Sequence, residues 1–203
     1  MNYGDKHTED SLVSRLGRLY GIERGLDCGP NIIMTRYRDE NGWVTNYGVK
    51  KNGDLCGEYE ADFLYITKGK YLYEVEVKIS ITDFRADLQK PLYHNFPDIK
   101  GFYYCVPVEL YNAHASEIKT VCKDKGAGLI VMYQRDFSTL IKPKIRKDVK
   151  PLTPMRYVYY LRLFAKKWVR KREGKSEEEA YAALPGVAKE IGVEFIVKED
   201  SND

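Results

Sequence analysis

Apolar residues recur along this chain at two spacings. Leu12, Val13, Leu16 and Leu19 are three to four apart and predict a helix over 8–20, with Thr8 as N-cap and Glu9 and Asp10 in its first turn. Further on the spacing drops to two. Residues 60–67 and 70–80 read as strands, and Lys68-Gly69-Lys70 between them as a hairpin loop. In the second strand Val75, Val77 and Ile79 take one face, and Glu76 and Lys78 take the other, which reads as a charged row. A three-residue loop that closes Thr67 on Tyr71 sets Asp62 opposite Glu76, on one face.

The pattern then alternates. Thr82 or Asp83 caps a helix to about residue 90 that turns Phe84 and Leu88 inward and stops at Pro91. An aromatic strand follows over 101–106, then a short helix over 116–125 closed by Gly126, a buried strand over 128–133 and an edge strand over 137–142. Thr153-Pro154 opens a helix to about residue 173, with Val158, Leu161, Phe164, Ala165 and Trp168 along its apolar stripe. Ser176 with Glu179 forms a capping box for one more helix, interrupted near Pro185, and residues 200–203 are expected to be disordered. The glycine-rich stretch 21–58 predicts strands over 31–37 and 43–49 around a turn at 39–42. The order describes an α/β sandwich around a mixed sheet, with a core over 1–150 and a helical C-terminal extension over 151–203 packed on it.

Charge changes this picture more than composition does. The net charge over 203 residues is only +3, yet residues 142–175 hold 13 Lys and Arg against two acids, and the residues after them are acidic. Such a basic stretch is either a polyanion footprint or a solvated helix face with a lysine-rich loop. Lys166 and Arg170 are its candidate phosphate contacts. Seventeen tyrosines suit both a core and a nucleic-acid surface. Four cysteines with no C-x-x-C pair, and three scattered histidines, argue against a zinc site and for a reduced, cytoplasmic protein. No stretch reaches the ~20 apolar residues of a membrane span.

Two carboxylates and a lysine at one place are the equipment for holding a divalent cation and cutting a phosphodiester. The same residues also fit an exposed sheet face with a cross-strand ion pair. The ordered series around them is more specific. Ala61-Asp62-Phe63-Leu64 is followed by Val75-Glu76-Val77-Lys78, then by Asp83-Phe84-Arg85-Ala86-Asp87 and Gln89-Lys90-Pro91-Leu92-Tyr93. Phe102-Tyr103-Tyr104-Cys105-Val106-Pro107 and Ala127-Gly128-Leu129-Ile130-Val131 complete it. Over about residues 60–150 this series resembles the PD-(D/E)XK nuclease superfamily, and within it the MmcB-type DNA-repair proteins.

That resemblance implies a restriction-endonuclease-like α/β sandwich and a metal-dependent nuclease of DNA repair or of phage and mobile-element DNA. It implies Mg²⁺ or Mn²⁺ held by Asp62, Glu76 and the Val77 backbone carbonyl. Lys78 is implied to orient or deprotonate the attacking water and to stabilise developing charge. Glu9 is the candidate for an added first-helix acid. Gln89, Lys90 and Tyr93 are implied DNA contacts, although they also read as an ordinary helix end. Glu60 stands where a basic residue is expected, as a further ligand or a substitute for one. The implied partner is DNA, and both monomer and homodimer stay open. A catalytically silent nucleic-acid-binding module on the same fold is the alternative.

Overall fold

The computed structural model describes residues 7–35, 48–49, 55–56, 58–89, 96–134 and 136–173. The first helix, α1 (Glu9–Leu16), starts in a capping box. The Thr8 hydroxyl accepts from the Ser11 N–H and the Ser11 hydroxyl accepts from the Thr8 N–H. It continues as a π-helical segment, Gly17–Glu23, and so runs past the expected end at residue 20.

Six strands form one mixed sheet in the order β1-β4-β5-β6-β7-β8, with β1 (Asp27–Thr35), β4 (Glu58–Ile66), β5 (Leu72–Val77), β6 (Ile99–Pro107), β7 (Gly128–Met132) and β8 (Phe137–Ile141). A separate two-residue ladder joins β2 (Gly48–Val49) to β3 (Leu55–Cys56). Strand β1 starts four residues earlier than expected, and most of the expected strand over 43–49 lies outside the described residues. So do the C-terminal helix expected from Ser176 and the tail.

The β4–β5 hairpin has the register read from the chain. Phe63 pairs with Val75 and Ile66 with Leu72, so continuing the register sets Asp62 across from Glu76. The loop 68–70 is closed by the Thr67 N–H to the Tyr71 carbonyl at 2.9 Å, and Lys70 takes the left-handed conformation that ends such a loop (φ 62°).

Strands β5, β6 and β7 run parallel, so helices must connect them across a face of the sheet. α2 (Ile81–Asp87) is capped by Ser80, whose hydroxyl accepts from the Asp83 N–H at 3.1 Å, rather than by Thr82 or Asp83. α3 (Val108–Lys125) starts directly after Pro107, with a break at His114, and closes on left-handed Gly126. The expected helix over 116–125 is therefore the second half of a longer one.

One face of the sheet packs Phe63, Val75, Val77, Cys105 and Ile130 against Leu12, Val13 and Leu16 of α1. The other packs Tyr104, Val106, Leu129 and Val131 against Phe84 of α2 and Ile118 and Cys122 of α3. On that same side, towards β1, Ile32, Met34, Leu64 and Ile66 meet Tyr160 and Phe164 of α4 (Pro154–Glu173).

α4 rests on the edge strand β1. Gly29 permits this, because a Cβ there would lie 2.4 Å from the Phe164 ring. At Gly17 a Cβ would lie 2.5 Å from the Trp168 ring, whose indole N–H donates to the Cys28 carbonyl at 2.8 Å. Gly29→Ala has a backbone neighbour, the Phe164 Cα at 2.9 Å, and little room to relax. It should cost roughly 1–3 kcal/mol of stability, read as a lower denaturant midpoint. An unchanged midpoint would mean that α4 does not bear on β1.

Candidate functional site

Strand β4 is irregular at one residue, and that residue is Asp62. Its register partner in β1 is Asn31, which follows a proline and adopts a left-handed conformation (φ 50°), so the ladder skips from Pro30–Phe63 to Ile32–Ala61. The skip also switches faces. Phe63 packs on the α1 side, while Ile32 and Ala61 pack on the α4 side. On the other flank the β4–β5 ladder stops at Phe63–Val75. There the Asp62 carboxylate takes the place of a backbone acceptor and receives the Val77 N–H at 2.8 Å. The N–H and C=O of a strand residue project to the same neighbour, so the Val77 carbonyl also faces Asp62.

Glu76 and Lys78 lie on the opposite side of β5 from Val77, under α2. They are not the exposed charged row expected from the alternation. Glu74, Glu76 and Lys78 are at most 4% exposed, because the helices that connect the parallel strands cover this face too. The Lys78 Nζ donates to Glu76 Oε1 at 2.7 Å and lies 3.3 Å from Asp87 Oδ1 and 3.7 Å from Asp83 Oδ2. Asp87 is held in turn by the buried Tyr104 hydroxyl at 2.9 Å. Asp83 and Asp87 read in the sequence only as part of a helix signature, and Tyr104 as a strand aromatic. The spacing of Asp83 and Asp87, one helical turn apart, was the signal that both face one point.

The electrostatics follow from this crowding. Burial first, and then the Glu76 charge, push the Asp62 carboxyl up to about 8, against the pull of the Val77 N–H and the Lys78 charge. Burial opposes the Lys78 ammonium, but the Glu76 carboxylate outweighs it, with help from Asp87 and Asp62, and the lysine sits above its ordinary value. At neutral pH Lys78 is therefore a cation and a hydrogen-bond donor, not a base.

The remaining expected residues fall in different places. Glu9, in the first turn of α1, is exposed, and its charge reaches Asp62 as a minor influence. Glu60 is exposed, paired across from Ile33 beyond the face switch. Among the described residues no group of three or more His, Cys, Asp or Glu is gathered as a metal cluster. Gln89 is exposed just beyond α2, while Lys90 and Tyr93 lie outside the described residues.

Lys166 is buried, at 6% exposure, which corrects its reading as a surface phosphate contact; Arg170 is half-buried. The α4 stripe is rotated accordingly towards Tyr160, Phe164 and Val169. The C-terminal turns of α4 reach α1, where Lys171 bonds Asp10 at 2.8 Å. The basic run 142–150 lies at the far end of the sheet, where the Lys144 N–H meets the Gly126 carbonyl and the Lys100 ammonium meets the Val149 carbonyl. Cys28, Cys105 and Cys122 are buried free thiols that burial pushes up to about 12, in keeping with inert side chains. Among the described residues no helix is long and apolar enough to cross a membrane.

No protein-family model matches the chain, and no curated protein matches it. A solved structure, the SPO1766 protein of unknown function from Silicibacter pomeroyi, is similar with a TM-score of 0.44 and 13% identity over 91% of this chain and 94% of that one. A likeness at that level carries no argument about function. The class rests on the sheet itself, which makes this an α/β protein with a six-stranded mixed sheet flanked by helices.

The raised Asp62 carboxyl has a consequence for stability. An acid whose folded pKa lies above its unfolded value of about 3.9 contributes stability below that value and loses it as pH rises towards about 8. In EDTA the protein should lose roughly 1 kcal/mol per pH unit between pH 5 and 8 from this group. Asp62→Asn should flatten that decline, which thermal denaturation across the range will show.

Proposed function

We propose that the protein is a divalent-cation-dependent nuclease that hydrolyses DNA phosphodiester bonds on a restriction-endonuclease-like fold. The observation that carries this reading is the Glu76–Lys78 ion pair at the end of the β4–β5 hairpin, within electrostatic range of Asp62, where the hairpin ladder opens. The chain order also supports it: α1, then the antiparallel meander β1-β4-β5, then α2, then parallel β6. The resemblance to the PD-(D/E)XK superfamily implies the same arrangement. The residues lie outside the carboxyl ends of the parallel strands, where open α/β sheets place their ligands.

The donor set fits a hard cation. Asp62, Glu76 and the Val77 carbonyl are all oxygen donors, the kind Mg²⁺ and Mn²⁺ prefer. Asp62 is raised partly by the neighbouring Glu76 charge, a penalty that a bound cation relieves. When bound, such an ion polarises a phosphoryl oxygen and makes a water more acidic. Lys78, fixed by Glu76 and Asp87, supplies a positive charge and a donor for the oxygen on which negative charge develops. Tyr104 keeps Asp87, and through it the ammonium, in place.

A second reading, a catalytically silent nucleic-acid-binding module, is favoured by one observation. Lys78 is already within 4 Å of three carboxylates, so its ammonium is paired and Glu76 is engaged in a structural ion pair without a bound cation.

The deciding experiment incubates the protein with single-stranded, duplex, nicked and branched DNA in Mg²⁺, Mn²⁺ or EDTA. Cleavage is expected with either metal and not in EDTA. Asp62→Asn and Glu76→Gln should abolish it, and Lys78→Ala should lose most of the rate, a loss of several kcal/mol of charge stabilisation. Lys78→Ala also strands buried carboxylates, at a cost of roughly 3–5 kcal/mol, so the half-buried Asp62→Asn is the cleaner arm. DNA binding with no cleavage of any substrate would establish the second reading. Unchanged cleavage by Asp62→Asn would remove this site from consideration.

A further inference from the structure

The α1 face of the sheet carries a second feature, away from Asp62. α1 and the π-helical segment cover the half nearest the candidate site. From Tyr20 of that segment a row of aromatic rings crosses the strands. Tyr20 lies 4.4 Å from Tyr65, Tyr65 is stacked on Tyr73 at 5.2 Å with planes 12° apart, and Tyr73 lies 6.4 Å from Tyr103. The Tyr65 and Tyr103 hydroxyls are hydrogen-bonded to each other.

Two glycines make the row lie down. A Cβ on Gly101 would meet the Tyr73 ring at 2.7 Å, and one on Gly128 would meet the Tyr103 ring at 2.3 Å. Each ring therefore covers the spot on the neighbouring strand where a side chain would otherwise stand. Tyr73 and Tyr103 remain partly exposed.

Cations border the row on two sides. The Arg24 guanidinium lies 5.0 Å from the Tyr20 ring centre and 4.7 Å from that of Phe137. On the other side the chain leaves β8 past the same glycines. The Ile141 carbonyl lies 3.0 Å from the Gly128 Cβ position and Pro143 lies 3.1 Å from that of Gly101, with exposed Lys142 between them and exposed Lys144 following. Flat rings framed by cations match the chemistry of unpaired nucleotides, whose bases stack and whose phosphates are anionic.

We infer that Tyr73 and Tyr103, with Arg24, Lys142 and Lys144 around them, form a platform for single-stranded nucleic acid. On it one or two bases stack on the tyrosine rings and the flanking phosphates meet the cations. The platform stands independently of the proposed nuclease chemistry: it uses none of Asp62, Glu76 or Lys78. The interior of a duplex does not fit it, since each base there is already stacked on both faces and paired.

The test is fluorescence anisotropy of a labelled dT12 strand with the full chain in EDTA, where cleavage plays no part. Tyr73→Leu with Tyr103→Leu keeps apolar bulk over the glycines but removes the π faces. It should weaken dT12 binding about 25-fold or more, about fivefold for each lost stack, and leave a 12-base-pair duplex almost unaffected. Lys142→Gln with Lys144→Gln should flatten the log–log salt dependence by about 1 to 1.5.

A dT12 carrying 5-iodouracil, photo-crosslinked to the wild-type protein, should label Tyr73 or Tyr103, which keeps the test decisive if the leucine variant folds poorly. No measurable dT12 binding, equal affinity in the leucine variant, or cross-links confined to other residues would each overturn the platform. Asp62→Asn should bind dT12 as the wild type does, so loss of cleavage and loss of this surface are read separately.

Discussion

An ammonium group held in a place that water barely reaches organises the middle of this molecule. Lys78 is 4% exposed, and an unpaired cation there would be intolerable. It is tolerated because Glu76 lies two residues away on the same face of β5 and because α2 brings Asp83 and Asp87 down from above. The requirement propagates outward. Asp87 must stay in place, so Tyr104 is buried beneath it with its hydroxyl directed at the carboxylate. α2 must sit over β5 and β6, so Ser80 caps it close behind Lys78, and Phe84 locks against Tyr104 with ring centres 4.9 Å apart. A buried ionic network of this kind is a costly way to gain stability. It lies beside the point where the β4–β5 ladder opens at Asp62.

The two layers around the sheet differ in how they are completed. On one side α2, α3 and α4 cover a nearly continuous surface. On the other, α1 covers half, and tyrosines lying over glycines finish the rest. The edge strand β1 is closed by α4, whose Phe164 and Trp168 press into Gly29 and Gly17. Covering an edge in this way removes a template for unwanted strand pairing. It also carries the C-terminal turns of α4 to the first turn of α1, where Lys171 meets Asp10, next to Glu9.

Much of this was legible along the chain. The hairpin register followed from a three-residue loop, because strand pairing is counted from the turn and does not depend on distant parts. α4 began at Pro154, as Thr153-Pro154 predicts, because capping and the missing proline N–H act locally. The helix break at His114 hid the first half of α3, whose residues follow a proline and carry no cap signal. The face switch at Asn31 and Asp62 was also illegible. Asparagine tolerates the left-handed conformation better than other non-glycine residues, but that tolerance does not say that Asn31 adopts it inside a strand ladder.

The sequence by itself determined most of the elements, the hairpin register and the grouping of two carboxylates near Lys78. These depend on interactions between residues near in the chain, whose geometry is set by helical and strand periods. The tertiary structure alone decided burial. It turned the expected exposed charges of β5 into a closed network, sank Lys166, carried the basic run 142–150 to the far end of the sheet and laid Tyr73 and Tyr103 over Gly101 and Gly128. Burial depends on what a distant segment places on top, and with parallel strands that cover comes from crossover helices. Periodicity names the two faces of a strand, but only the packed fold says which of them meets water.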